Sequence, residues 1–350
     1  PPNDGRCAAG EFAIDENRAG IRDTDGSWFL PKGINLAAGR HFDGAFFENN
    51  SADQITAADV AVLRDDWQFN SIRLNVNSQA GPQVFDDAVV HRVIGLFTDA
   101  GMVVMITDHN LTGQDPTPAQ RQAQANRFGA MAERYADNPC VWFNPYNEPG
   151  GSPTSTYNYT DGDVTDDDAW IDWHVPVIDA IRAESDAVVV LNESHWGQGR
   201  AQGAYTPSHS TVLTYGQQVN QMYDNIMYTV HFYERWDGRT QDIQSYLQSA
   251  NNKGLAIAVG EIGGHHTLGG SRPTSRWTTV QAVYNLAPAG VGLYAWHADA
   301  RHSSGMAMGP HPNGGAGRTL AWEITQRSQT DATGTKQWDW NHNPPAPVPS

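Results

Sequence analysis

Two glutamates, Glu148 and Glu261, each close a short apolar run: Val141–Tyr146 leads into NEP, and Ala256–Gly260 leads into EIGG. A carboxyl group at such a place is partly desolvated, which raises its pKa unless a cation or donor faces it. Two carboxyls with unlike surroundings can divide the roles of proton donor and nucleophile. Cleaving a glycosidic bond needs such a pair flanking that bond. Other runs end in Arg73, in His109 and Asn110, in Asn192–Gly197, in His231 and Tyr233, and in Trp296, His297 and Asp299. One rim glutamate alone reads as readily as a salt bridge. Two, accompanied by Arg, His, Asn, Tyr and Trp, read as an active site. Asn147 stands beside Glu148. Arg73 and Tyr233 lie within reach of Glu261, where they would hold it ionised for attack.

Something must bring these residues together. Eight runs read as strands: Trp28–Asn35, Ser71–Val76, Met102–Thr107, Val141–Tyr146, Ala187–Leu191, Ile226–Val230, Ala256–Gly260 and Gly292–Ala295. Most are near-continuously apolar, as in parallel strands buried on both faces. Amphipathic stretches lie between them. Val90, Val93, Ile94 and Phe97 share a helical face after Asp86, a candidate N-cap, and Gly101 fits a C-terminal cap. Ile171, Val175, Ile178 and Ile181 form a second stripe after Asp167. Eight such units predict an α/β fold, a (β/α)₈ TIM barrel with its chemistry at the C-terminal strand ends. An open doubly wound sheet is the alternative, but no GxGxxG or GxxxxGK[ST] follows the first strand. Phe12–Ile14 pairs with Gly20–Arg22 as a small N-terminal hairpin, ahead of a turn at residues 23–26. Residues 1–340 are expected to form one catalytic domain. Residues 341–350 are a proline-rich tail or a linker stub to a further carbohydrate-binding module.

The chain of 350 residues is 39% hydrophobic and 17% charged, a globular composition. It begins without Met and without a signal peptide, which reads as a mature or trimmed form. No apolar run approaches the roughly 18 residues that span a membrane. The net charge is −17, which repels nucleic acid and anionic membranes and suits a neutral substrate.

The ordered set of strand-end residues resembles glycoside hydrolase family 5, a clan A family of retaining (β/α)₈ enzymes. Its eight hallmark positions occur here in order as Arg73, His109, Asn147, Glu148, His231, Tyr233, Glu261 and Trp296. The segment from Ile21 to Asn35 is similar to the family's opening hairpin and first strand. The resemblance covers residues 12–300 and implies roles. Glu148 would be the acid/base and Glu261 the nucleophile. Asn147 would bond the sugar 2-hydroxyl, while Tyr233 and Arg73 orient Glu261. His109 and His231 would line the −1 subsite, and Trp296 would form its floor. Trp196 and Trp236, on the active rim, are further subsite candidates. Trp28, Trp67, Trp142 and Trp322 read as core.

Three stretches resemble the bacterial β-mannanase branch, subfamily 8: DHNLTGQ from Asp108, NESHWGQG from Asn192, and the segment running from Asp242 through Glu261 to His266. WFNPYNEP and the segment after Trp296 depart from that branch. The expectation is a retaining endo-hydrolase of β-1,4-mannan, with β-1,4-glucan as the alternative substrate. Outside that class stands a non-catalytic carbohydrate-binding barrel, and a transglycosylase would share the same site. The family's hairpin covers the barrel bottom. It would bring Cys7 to Cys140, so a disulfide and a secreted, extracellular monomer are expected. No cofactor is called for. His265–His266 and His297–Asp299 lack HxH or HExxH spacing, so no metal is expected. The acidic stretch at residues 161–168 lacks the glycine and closing glutamate of a calcium loop. Ser194 beside His195 lacks a GxSxG elbow.

Overall fold

Pro31 divides the first apolar run in two, because proline has no N–H for a ladder. Ahead of it, β3 (Trp28–Phe29) joins β2 (Gly20–Arg22) and β1 (Ala13–Asp15) in a three-stranded antiparallel sheet. Beyond it, β4 (Lys32–Ala37) opens the barrel. The expected strand Trp28–Asn35 is therefore two strands in two sheets. The computed structural model describes residues 5–37, 55–66, 68–78, 85–158, 163–165, 168–200, 204–262, 279, 282–283 and 291–296.

Eight parallel strands close the barrel: β4, β5 (Ser71–Val76), β6 (Val103–Asp108), β7 (Val141–Asn144), β8 (Val189–Asn192), β9 (Ile226–Phe232), β10 (Ile257–Ile262) and β11 (Gly292–Ala295), with β11 pairing back to β4. The intervening helices include α1 (Ala57–Ala61), α2 (Ala88–Thr98), α3 (Pro118–Arg134), α4 (Ala169–Arg182), α5 (Thr211–Met222) and α6 (Thr240–Asn252). The cap of α2 is Asp87, whose side chain accepts from Val89 N at 2.8 Å, one residue beyond the expected Asp86. None of the described helices is long and apolar enough to cross a membrane.

The strands serve two cores because alternate side chains face opposite ways. Ile72, Leu74, Val104, Ile106, Phe143, Val189 and Leu191 face the helices. Val103, Met105, Trp142, Val190, Met227, Ala258 and Tyr294 fill the lower barrel. Higher on the inward faces the residues turn polar: Met105 gives way to Thr107, Trp142 to Asn144, Val190 to Asn192, and Met227 to Thr229 and His231. That gradient seals the bottom with apolar packing and leaves a polar chamber at the top.

The small sheet plugs the bottom. Phe12 and Phe29 meet Trp142 edge-on, with ring centroids 5.1 and 5.7 Å away. Ile14 N donates to Asn225 Oδ1 at 3.0 Å, and Arg6 Nη1 donates to Gly101 O at 2.7 Å. A disulfide joins Cys7 to Cys140 across 133 residues. Trp28, expected in the core, is instead 37% exposed, with the Arg22 guanidinium 3.5 Å from its ring centroid. It lies on the outer face of β3, opposite Phe29. Trp67, Trp322, the proline-rich tail and the segment after Trp296 lie outside the described residues.

Candidate active site

Arg73 rises from β5 into the chamber and is completely buried. A buried guanidinium must spend its donors on acceptors. It donates to Glu261 Oε1 at 2.7 Å, Asn147 Oδ1 at 2.7 Å and Asn35 Oδ1 at 3.0 Å. Its Nε and Nη2 also donate to Asn144 Oδ1, at 3.2 and 3.0 Å. Tyr233 donates its hydroxyl to the other oxygen of Glu261 at 2.9 Å. Both oxygens of Glu261 are thus held.

Glu261 reaches this place through a bulge. Val259 of β10 is opposite Val230 of β9, yet the next pair is Glu261 with His231. Gly260 is the extra residue. Without it, parity would turn Glu261 toward the helices. Gly260 must also be small, since a Cβ there would lie 2.8 Å from His231 Nε2.

Glu148 sits just past β7 with φ 47°, a left-handed conformation rare outside glycine. Neighbours hold it there: Gly113 N donates to Glu148 O at 2.7 Å. Gly197 leaves room for the side chain, as a Cβ on it would lie 2.8 Å from both Glu148 Cγ and His231 Nδ1. His231 Nδ1 lies 2.7 Å from Glu148 Oε1 and 3.6 Å from Glu261 Oε2. Glu148, Glu261 and His231 each place a polar atom within 4.8 Å of the other two.

The two carboxyls differ in surroundings. Burial pushes Glu148 up to about 8, offset in part by Arg73 and reinforced by Glu234. Burial also raises Glu261, as does the neighbouring Glu148, while Arg73 and the Tyr233 hydroxyl pull it back. Burial drives His231 down to about 3, so its ring is neutral. Two carboxylates and an imidazole are also a set of metal donors. Here they are already committed, and the Arg73 guanidinium, 2.7 Å from Glu261, opposes a cation.

Most residues expected at the site converge on this chamber. His109 stacks on Trp296 at 6.1 Å between centroids, with the planes inclined by 21°. Asn147 Nδ2 donates to Thr112 Oγ1 at 2.9 Å. Trp196 is 37% exposed and lies against Gly113 and Gly151, where any Cβ would strike its ring. Its backbone N–H donates to Gly150 O at 3.0 Å. Trp236 does not belong to the site. It is completely buried against Tyr205, Phe232 and Tyr246, with Nε1 bonded to Gln198 O, and has no free face for a sugar.

Of the inner polar ring, Asn35, Asn144 and Thr229 were not singled out from the sequence and Asn192 only as the start of the rim segment Asn192–Gly197; nor was the Gly260 bulge. Counting inward parity back from the rim would have found the ring. Glu193, another rim glutamate, points out of the barrel. Its carboxylate accepts from Thr211 N at 3.1 Å and Tyr246 OH at 2.8 Å, anchoring the start of α5.

Residues 23–301 match the model of a family described as Cellulase (glycosyl hydrolase family 5). An endoglucanase of Clostridium saccharobutylicum is 27% identical over 232 residues, which cover 64% of this chain and 46% of that protein. A mannan endo-1,4-beta-mannosidase of Salipaludibacillus agaradhaerens is 26% identical over 262 residues, covering 74% of this chain and 73% of that protein. The chain spans about half the length of the first endoglucanases it matches. The catalytic domain of a Thermobifida fusca endoglucanase has the same fold, with a TM-score of 0.66 at 21% identity, covering 91% of this chain and 97% of that one.

Proposed function

Because the chain belongs to glycosyl hydrolase family 5, we propose that it cleaves a β-1,4-linked polysaccharide internally, by double displacement with retention. The observation that carries this reading is the carboxyl pair. Glu148 and Glu261 bring oxygens within 4.8 Å of each other, whereas an inverting pair stands about 6.5–9.5 Å apart to admit a water. Glu261, held by Arg73 and Tyr233, attacks the anomeric carbon. Its oxygen bonds to that carbon as the glycosidic bond breaks. Glu148 delivers its proton to the leaving oxygen. A water then attacks the anomeric carbon and gives its proton to Glu148, and Glu261 leaves as a carboxylate. No metal takes part, so a chelator leaves the rate unchanged. With a polysaccharide substrate and a disulfide, extracellular action follows.

The substrate reading is β-1,4-mannan. Two of the mannanase-like stretches supply one surface: Gly113 from DHNLTGQ lies against Trp196 from NESHWGQG. The second reading, β-1,4-glucan, is favoured by the number of endoglucanases among the relatives.

Release of reducing ends from mannan, glucomannan, carboxymethyl-cellulose and xylan decides between them. Cleavage of carboxymethyl-cellulose with none of mannan overturns the mannan reading. A first product of inverted anomeric configuration by proton NMR, or full activity in Glu261→Ala, overturns the mechanism.

A further inference from the structure

The geometry points to Asn192 as a positioning residue that sets the tautomer of His231 and so decides which oxygen of Glu148 carries the catalytic proton. This rests on the acid/base reading of Glu148. Arg73 can only donate. Its Nε and Nη2 point at one atom of the Asn144 amide, so that atom is the oxygen. The Asn144 nitrogen therefore faces the other way. There it donates to Val190 O at 2.8 Å, a group that can only accept. The same nitrogen donates to Asn192 at 2.9 Å, so the atom it meets is Asn192 Oδ1. Thr229 Oγ1 donates to that same oxygen.

Asn192 Nδ2 is left facing His231 Nε2 at 3.3 Å. A donor there requires a bare ring nitrogen. The proton of the neutral imidazole then sits on Nδ1. From Nδ1 it points at Glu148 Oε1, 2.7 Å away, rather than at Glu261 Oε2, 3.6 Å away. Oε1 is thereby committed as an acceptor. The acidic proton of Glu148 is left to Oε2, the oxygen free to meet the leaving group. The opposite tautomer would set an N–H against the Asn192 amide N–H and leave Nδ1 without a proton for Glu148. Arg73, Asn144, Asn192, Thr229 and His231 are all completely buried. No bulk water is there to repair a mismatch, and an unsatisfied buried donor is costly. The titratable and charged groups near the ring are Glu148, Glu261 and Arg73, while Asn192 approaches from an uncharged side.

The test compares two substrates in Asn192→Asp and Asn192→Ala. One is the polysaccharide, whose leaving oxygen needs a proton. The other is a 2,4-dinitrophenyl β-glycoside of the same sugar, whose leaving group departs without one. The expected result is a fall of about 10–100-fold in kcat/KM on polysaccharide, against no more than about 3-fold on the dinitrophenyl glycoside. Equal losses on both, or no loss on either, overturn the proposal. Should neither variant fold, histidine-selective ¹⁵N NMR of the wild-type enzyme decides, since a proton found on His231 Nε2 overturns it too. Glu148→Ala on the same substrates keeps the two ideas apart. If it spares polysaccharide cleavage, the acid/base reading itself fails. If it selectively loses polysaccharide cleavage while Asn192→Asp and Asn192→Ala do not, only the role of Asn192 fails.

Discussion

Glu261 stands opposite His231 in the barrel ladder, where an unbroken register would place Gly260. The residue skipped is Gly260. The nucleophile's inward direction therefore depends on a bulge, and the bulge depends on a residue without a side chain.

Gly260→Ala follows as a first prediction. The added methyl would lie 2.8 Å from His231 Nε2 and 3.1 Å from Thr229 Cβ, both on the inner face of β9. Overpacking of this kind costs about 1–3 kcal/mol, and here the strain lands on the reacting residues. The expected outcome is a lower Tm together with a loss of kcat/KM of at least about 10-fold, as for small misplacements of reacting groups. Gly95→Ala is the control. It lies within α2 with nothing within 4 Å of its added Cβ, so thermal melts should show a gain of about 0.5–1 kcal/mol and unchanged activity.

The pH dependence has two limbs with opposite signs. Glu148 works protonated and is raised by burial to about 8, so kcat/KM falls as pH rises through about 8. Glu261 works ionised and is also raised by burial, so the acid limb lies above the ordinary glutamate value of 4.5. Stability follows the same groups. Between pH 4.5 and 8 the folded chain keeps a proton on Glu148 that the unfolded chain has released, so the fold loses stability as pH rises across that window. Glu148→Gln removes this loss. Its stability should match wild type below pH 4.5, then exceed it by a margin that grows to about pH 8, about 3 kcal/mol near neutrality. A margin independent of pH would contradict this.

The disulfide lies at the opposite end of the barrel from the chemistry. Cys7→Ser should leave kcat and KM unchanged. It should cost about 2–5 kcal/mol of stability, because the bond closes a loop of 133 residues in the unfolded chain. Denaturation without reductant should expose no free thiol in wild type. A count of two would show that the bond does not form.

Which parts were legible in the sequence follows from what each signal measures. Ser71–Val76 and Gly292–Ala295 have the expected bounds because each apolar run coincides with its ladder. β6, β9 and β10 run on to Asp108, Phe232 and Ile262, past the expected bounds, because rim residues still pair: His231 and Glu261 turn to the site, Phe232 and Ile262 join the outer core, and Asp108 bonds Ser78. Glu148, Glu261 and their immediate partners were readable because charged and aromatic residues at strand ends are conspicuous. Asn144 was not, and Asn192 was noted at a strand end without a role, because an asparagine closing an apolar run also reads as the start of a loop. The bulge at Gly260 leaves no mark in composition. It shows only when residues are paired across β9 and β10.

Trp196 and Trp236 separate position in the chain from position in space. Both follow strands on the active rim, and the sequence offered both to the sugar. Trp196 is 37% exposed over two glycines, while Trp236 is closed in among three aromatic rings. Trp196→Ala should therefore raise KM on polysaccharide and lower Tm less than Trp236→Ala does, since part of its ring already faces solvent. Trp236→Ala should cost about 3–5 kcal/mol by opening a cavity under the loop that carries Gln198. Steady-state kinetics and thermal melts on the same two proteins check both halves. If Trp196→Ala lowers Tm as far as Trp236→Ala and leaves KM unchanged, Trp196 is packing and not a sugar platform.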